Sequence, residues 1–225
     1  MTNWAIVPAA GTGQRMQSAI PKQYLPLGDQ QVIDHALAPL IAHPMIRQIY
    51  VALSPDDTWW VQTRFARHPD LVQVVGGAER RDSVLNALHT LAAQANPNDW
   101  VLVHDAARPY LHPDDLTRLI TQVTTHPTAT GGLLGQRTAD TLKQVTAEGT
   151  VSHTLDRNHI WHAFTPQMCR FGLLYQHLQA ACAADLPMTD EASILEWAGE
   201  TILMVPGRAD NRKITYPEDL HPHQL

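Results

Sequence analysis

Trp4-Ala5-Ile6-Val7 runs directly into Pro8-Ala9-Ala10-Gly11-Thr12-Gly13-Gln14-Arg15-Met16, and Pro21-Lys22-Gln23-Tyr24 follows shortly after. A short apolar run that empties into a glycine-bearing loop reads as a strand opening a strand–helix unit. Gly11 and Gly13 lack a Cβ, so backbone N–H groups there can come close to an anion. Arg15 and Lys22 bring two full positive charges to the same neighbourhood, a combination that suits a polyphosphate. An ordinary strand-to-helix turn with two glycines remains an alternative, since motifs this short recur by chance.

Two other phosphate loops are excluded. The P-loop requires G-x-x-x-x-G-K-[ST], and no such run follows Gly11. The dinucleotide fingerprint requires a third glycine where this chain has Met16, and that position serves close helix-on-strand packing.

Moving outward, strands and helices alternate. Val32, Ile33, Ala36, Leu37, Leu40 and Ile41 recur at helical spacing, which predicts a helix to about His43 with a kink or break at Pro39. Ile46 to Leu53 reads as a strand. Ser54-Pro55-Asp56-Asp57 reads as a helix start, predicting a helix over Thr58 to Arg67. Leu71 to Val75 is a strand ending at Gly76-Gly77, and a helix is predicted after Asp82 or Ser83. Trp100-Val101-Leu102-Val103 is a continuous apolar run, as in a strand buried on both faces. It ends in His104-Asp105-Ala106-Ala107-Arg108-Pro109, and Pro113-Asp114-Asp115 opens another helix.

This rhythm predicts an α/β fold, an open and mostly parallel sheet flanked by helices with right-handed crossovers. Ligands in such sheets sit beyond the carboxyl ends of the strands. The Gly11 loop, Gly76-Gly77 and the Asp105 segment all occupy such ends. After Gly131 the rhythm breaks. Thr141 to Val145 and Val151 to Leu155 alternate around Glu148-Gly149, which predicts a β-hairpin within residues 138–163. An isolated hairpin is marginal, so it is expected to pack on this core or on a second copy of the chain. Phe171 to Ala184 and the stretch after Thr189-Asp190-Glu191 read as helices, Thr201 to Val205 and Asp210 to Thr215 as strands. No linker divides the chain, so residues 1–225 are expected to form one domain.

With 44% hydrophobic and 17% charged residues in 225, the composition is that of an ordinary globular protein. The net charge of −6 argues against a general nucleic-acid binder. Cys169 and Cys182, both read as helical, suggest neither a disulfide framework nor a zinc site. The first strand leaves no room for a signal peptide, and no apolar run approaches the length of a membrane span. A cytoplasmic location is expected. Many of the 13 histidines flank proline, among them His43, His68, His112, His126, His221 and His223. They read as residues at element ends, and a dedicated zinc site is not expected.

Taken together, these residues resemble the 2-C-methyl-D-erythritol 4-phosphate cytidylyltransferase family. The landmarks are Pro8-Ala-Ala-Gly-x-Gly-x-Arg-Met16, Pro21-Lys-Gln-Tyr24, Gly76-Gly-x-Glu-Arg80, Val103-His-Asp-Ala-Ala-Arg-Pro109, Asp140-Thr-x-Lys143, Thr154-x-Asp-Arg-Asn158, Thr165-Pro-Gln167, Thr189-Asp-Glu-Ala-Ser193 and Gly207-Arg-x-Asp-Asn-x-Lys213. The chain departs from the family at the entry to the arm, where Arg137-Thr138, followed by Ala139, stands in place of the usual Pro-Val. The resemblance implies a single Rossmann-like domain whose β-arm, residues 138–163, embraces the neighbouring subunit of a homodimer.

It further implies that CTP and a sugar-alcohol phosphate are joined with release of pyrophosphate, with no nucleic acid or membrane as partner. Arg15, Lys22 and Lys213 would be the catalytic cations. Ala9, Ala10, Gly11 and Gly13 would cradle the nucleotide, with Gly77, Arg80 and Ser83 at the cytosine and Ala106 by the ribose. Asp105 and Asp210 would hold Mg²⁺. Arg108, Thr141, Arg157 and Thr165 would meet the acceptor phosphate, in part across the dimer interface. Lys143 and Glu191 are left without a role, Glu191 being as readable as a helix-start acid. Two alternatives stay open at this stage: a ribitol 5-phosphate cytidylyltransferase, and a non-catalytic nucleotide-binding regulator on the same fold.

Overall fold

The computed structural model describes residues 1–16 and 18–220. His221 and His223 therefore lie outside the described residues. Strand β1 (Asn3–Pro8) leads through the Gly11 loop and two 3₁₀ turns to a short pair, β2 (Pro26–Leu27) and β3 (Gln30–Gln31). Helix α1 (Val32–Ala42), β4 (Ile46–Leu53), β5 (Leu71–Val75), α2 (Arg80–Leu91), β6 (Trp100–Val103) and α3 (Pro113–Thr125) follow. The second half comprises β7 (Gly131–Arg137), β8 (Lys143–Val145), β9 (Val151–Thr154), β10 (Trp161–Arg170), α4 (Phe171–Ala183), α5 (Glu191–Trp197) and β11 (Ile202–Pro206).

Seven strands form one sheet in the order β11-β7-β10-β6-β1-β4-β5. Every neighbouring pair is parallel except those made by β10, which runs antiparallel to β6 and to β7. The α/β expectation is met, with a mostly parallel sheet. From β1 the chain first builds outward through β4 and β5, then returns to add β6 on the other flank of β1. The strand order thus reverses between β1 and β6, and a crevice opens there at the carboxyl ends.

Side chains of β1 alternate between the two faces, as the pleat requires. Ala5 and Val7 join Ile33, Leu37 and Leu40 of α1 and Leu116, Leu119 and Ile120 of α3. Trp4 and Ile6 join Val84 and Leu88 of α2, Leu174 and Leu178 of α4, and Ile194 and Leu195 of α5. Leu88, Leu102 and Leu116 are wholly buried, each contributing on the order of 2 kcal/mol by area. The result is three layers, helices on both faces of the sheet.

Several expectations are corrected. No helix forms over Thr58 to Arg67; only Trp60–Gln62 makes a 3₁₀ turn. The Asp57 carboxylate accepts from the N–H of both Trp59 and Trp60, and Thr63 is extended, so the chain closes i to i−3 turns and cannot propagate. Pro39 lies inside α1 without ending it. Helix α2 starts at Arg80, before the predicted Asp82, because Asp82 Oδ2 reaches back to the Glu79 N–H at 2.9 Å. Asp210 to Thr215 forms no strand: its backbone is drawn onto loops, with the Ile214 N–H bonded to the Ala107 carbonyl at 2.8 Å. Cys169 is in β10, not in a helix; Cys182 is in α4 as read.

Strands β7 and β10 were not anticipated. Glycines obscure β7, where α3 packs directly on the backbone; a Cβ on Gly132 would stand 2.4 Å from Val123 Cγ2. The predicted hairpin is present as β8 and β9, which pair only with each other and are exposed. Its root differs from the expected bounds, since Trp161 to Ala163 belong to β10 of the main sheet. Arg137 pairs with Trp161 and stacks its guanidinium over that ring at 5.3 Å, closing the arm's base. No helix among the described residues is long and apolar enough to cross a membrane.

Candidate active site

A cavity of about 370 Å³ occupies the crevice between β1 and β6. Its wall is built from four stretches: Pro8 to Arg15 with Lys22 and Gln23, the Gly77 to Ser83 turn, Asp105 to Ala107, and Lys213 with Thr215. Ala9, Ala10, Gly11, Gly13, Arg15, Lys22, Gly77, Arg80, Ser83, Asp105, Ala106 and Lys213 all line it. The structure therefore brings every residue named for the nucleotide and for catalysis to one place.

The loop after β1 is held from beneath. Gln23 donates its side-chain amide to the carbonyls of Ala9 (2.7 Å) and Gly11 (3.0 Å). Both bonds tie the loop to the 3₁₀ turn that follows it, Lys22–Tyr24. Gly13 adopts φ +67°, and a Cβ there would stand 2.9 Å from Lys22 Cγ, so glycine is needed both for the backbone and for the lysine crossing it. Lys22 Nζ donates to the Ile214 carbonyl at 3.0 Å. Met16, Leu25, Val32 and Ile214 share a small apolar cluster that ties loop, strand pair and tail together. On the opposite wall Ser83 Oγ accepts from the Gly77 N–H and donates to the Glu79 carbonyl, both at 3.1 Å.

Charge is organised around Asp105. One carboxylate oxygen accepts from Arg80 Nε at 3.0 Å; the other lies 2.8 Å from Lys213 Nζ and 3.5 Å from Arg108 Nε. Burial opposes the Asp105 charge, but Arg80 and Lys213 outweigh it and hold the carboxyl well below the usual carboxylate range. Lys22 is pushed down to about 8, by burial first and by the neighbouring Lys213 charge second, with Asp105 partly offsetting them. His104 is wholly buried, and burial lowers it to about 4. Neutral at physiological pH, it bonds the Arg108 carbonyl through Nε2 at 3.1 Å and Thr165 Oγ1 through Nδ1 at 2.9 Å. A carbonyl only accepts, so the ring proton resides on Nε2 and the threonine donates to Nδ1. Thr165 Oγ1 in turn accepts the Asp105 N–H at 3.0 Å, fixing the backbone of the key carboxylate.

Six of the assigned residues are tied up elsewhere or lie off the cavity wall. Arg80 lines the cavity, yet its guanidinium is committed elsewhere, to Asp105 through Nε and to Glu191 through both terminal nitrogens. Arg108 is buried, with its terminal nitrogens on the Asn211 and Ala163 carbonyls and its plane over Phe164. Thr165 is buried and bonded as above. Neither Arg108 nor Thr165 is on the cavity wall. Asp210 is also off the wall, and its carboxylate faces Arg208 at 3.3 Å. Thr141 and Arg157 are exposed on the arm, where Arg157 Nη1 donates to the Ala139 carbonyl.

Among the described residues no cluster of three or more His, Cys, Asp or Glu could by itself hold a metal ion. Of the two wall carboxylates, Asp105 and Glu79, Asp105 is the buried one; Mg²⁺ there would take its remaining ligands from phosphate oxygens and water, the usual mode for this ion. Sequence reasoning passed over Gln23 as a functional residue and left Glu191 without a role. The position of Glu191 after an N-cap Asp190 reads as a helix-start acid, and only its contact with Arg80, 111 residues away in sequence, reveals more. Glu79 and Ala107, which also line the cavity, belong to the quoted motifs but were given no role; Thr12 and Thr215, likewise on the wall, carry no sequence signal beyond lying in or near those motifs.

Comparison with known proteins agrees with this geometry. A sequence model described as IspD, 2-C-methyl-D-erythritol 4-phosphate cytidylyltransferase, matches residues 4–224. A protein of that name from Shewanella frigidimarina is 51% identical over 96% of this chain and 92% of its own length. One from Pseudomonas putida is 48% identical with the same coverage. The solved structure of the Francisella tularensis enzyme of that name superposes with a TM-score of 0.84 at 36% identity, covering 98% of this chain and 97% of its own. With the family model matched over residues 4–224 and relatives of that name about half identical over 96% of its length, the chain belongs to the 2-C-methyl-D-erythritol 4-phosphate cytidylyltransferase family.

Proposed function

We propose that this chain is the enzyme that joins CTP to 2-C-methyl-D-erythritol 4-phosphate, giving the CDP-linked product and pyrophosphate in the non-mevalonate route to isoprenoid precursors. The observation that carries the reading is the convergence of Arg15, Lys22 and Lys213 on one cavity at the β1/β6 switch point, with Asp105 between the sheet and Lys213.

The nucleophile is a phosphate oxygen of the acceptor, already largely ionised near neutral pH because its second pKa is about 6. It bonds to the α-phosphorus of CTP while the bond to the β-bridging oxygen breaks, and pyrophosphate leaves with that electron pair. No side-chain base is required, and neutral His104, buried behind Asp105, is a structural strut. The difficulty is repulsion between two anions, which positioned cations relieve. Backbone of Ala9 to Gly13 cradles the triphosphate, Arg15 and Lys22 hold its phosphates, and Lys213 stands at the α-phosphate. Gly77 and Ser83 present the base-binding edge, and Ala106 lies by the ribose. Asp105 would hold Mg²⁺, which when bound neutralises phosphate charge. Asp210 belongs with Arg208.

For the acceptor, we place Arg157 and Thr141 of a second copy's arm over the cavity in a homodimer. Supporting this are the exposed hairpin and its cross-strand pair Val145 and Val151, 54% and 61% exposed. Arg108 and Thr165 then shape the acceptor end from behind. A cytoplasmic location fits such a reaction. Pyrophosphate release assayed with CTP and either 2-C-methyl-D-erythritol 4-phosphate or ribitol 5-phosphate, with and without Mg²⁺, tests the reading. Turnover only with the first acceptor is expected; turnover only with ribitol 5-phosphate overturns the substrate.

A further inference from the structure

We infer that Glu191 is a positioning residue for the transfer: from outside the cavity it sets, through Arg80 and Asp105, where the Lys213 ammonium stands. Glu191 opens α5 and is 2% exposed. Its two oxygens take both terminal nitrogens of Arg80, at 2.6 and 2.9 Å. Only Nε of that guanidinium is left for Asp105, and it engages a single oxygen. The other oxygen is thereby open to Lys213 at 2.8 Å. A guanidinium fork freed from Glu191 matches a carboxylate bidentately. It would take both Asp105 oxygens and displace Lys213.

The relay has a rigid mount. Gln167 of β10 pairs with Val103, two residues before Asp105. Its side chain accepts the Ala192 N–H and donates to Asp190 Oδ2, both at 2.8 Å. Helix α5 and the Asp105 loop are therefore registered on the same two strands, and a four-group chain Glu191–Arg80–Asp105–Lys213 connects them.

This inference rests on the cytidylyl-transfer reading, which wild-type pyrophosphate release decides beforehand. Neutralising one member of a buried pair also costs stability, so loss of turnover alone does not separate positioning from folding. A double-mutant cycle does. Glu191→Gln and Lys213→Ala are compared singly and together, read as turnover and, without acceptor, as CTP affinity by calorimetry. Glu191→Gln is expected to weaken CTP binding and turnover about tenfold in the wild-type background and less than about threefold in the Lys213→Ala background. Multiplicative effects on CTP affinity, or an unaffected Glu191→Gln enzyme, overturn the inference. Should Glu191→Gln not fold, Glu191→Asp, which keeps the charge but shortens the reach, goes through the same cycle with the same two outcomes.

Discussion

Lys213 Nζ stands 2.8 Å from Asp105 Oδ2, although the two residues are far apart in sequence, one just after β6 and one in the tail beyond β11. The tail reaches Asp105 because Ile214 bonds Ala107 and Lys22, and Asn211 bonds Arg108 and Thr165. Each contact fixes backbone on at least one side, so the ammonium is preorganised.

Asp105→Asn removes the one carboxylate facing Arg80, Lys213 and Arg108. Breaking a buried ion pair typically costs about 3–5 kcal/mol, and urea unfolding should register a loss of that order. Turnover should fall at least a hundredfold through displacement of Lys213. The sign of the pH effect follows from its folded pKa, which is lower than the unfolded value. Asp105 stabilises the fold fully above the unfolded pKa near 3.8 and loses that contribution as pH falls. The acid limb of a stability–pH curve should therefore be shallower in the variant; an unchanged limb would count against the assignment.

Lys22 titrates where its effect on binding can be seen. With its pKa near 8 in the free protein, kcat/KM for CTP should decline as pH rises past 8. A bound triphosphate favours the charged form, so kcat should hold to higher pH. Lys22→Arg should abolish the decline in kcat/KM, whatever its effect on the maximum. The unfolded chain keeps the proton to about 10.5, so the lysine's contribution makes folding more favourable as pH rises between those values. A kcat/KM profile flat to pH 10 in the wild type would remove Lys22 from the phosphates.

Gly13→Ala places a Cβ against Lys22 Cγ in a left-handed backbone. Strain of about 1 kcal/mol is expected, with a larger effect on CTP than on the acceptor, because the displaced side chain is a phosphate ligand. Steady-state kinetics with each substrate varied in turn separates the two; equal effects on both KM values would mean that the loop as a whole has collapsed.

The sheet's parallel half was legible because its strands β1, β4, β5 and β6 are short apolar runs, each followed by a polar or glycine-bearing loop. The cavity wall was legible for the same reason: loops at strand carboxyl ends can be located once the strands are known. The strand β7 was hidden because Gly131, Gly132 and Gly135 give no apolar period, being selected by close packing against α3, β10 and β11. Lys213 was reached by family resemblance, and the tail around it was misread as a strand since its backbone partners are loops far off in sequence. Glu191 was beyond reach for a related reason. Its partner is on another helix, and a charge pair across 111 residues leaves no local pattern.

Arg157 is exposed on the arm of its own chain, outside the cavity wall, so its proposed role in the acceptor site is assigned to the arm of a second copy. Arg157→Ala should raise KM for the acceptor more than tenfold while leaving KM for CTP nearly unchanged, as loss of one charge-assisted phosphate contact implies. Mixed dimers sharpen the point. Lys22→Ala disables the cavity of its own chain, and Arg157→Ala disables the arm that serves the other. Combining the two in one heterodimer leaves one site with both defects and one site with neither. Co-refolded mixtures should then recover a share of wild-type activity that neither parent has. A mixture no more active than the mean of its parents would place Arg157 in cis or outside the site altogether.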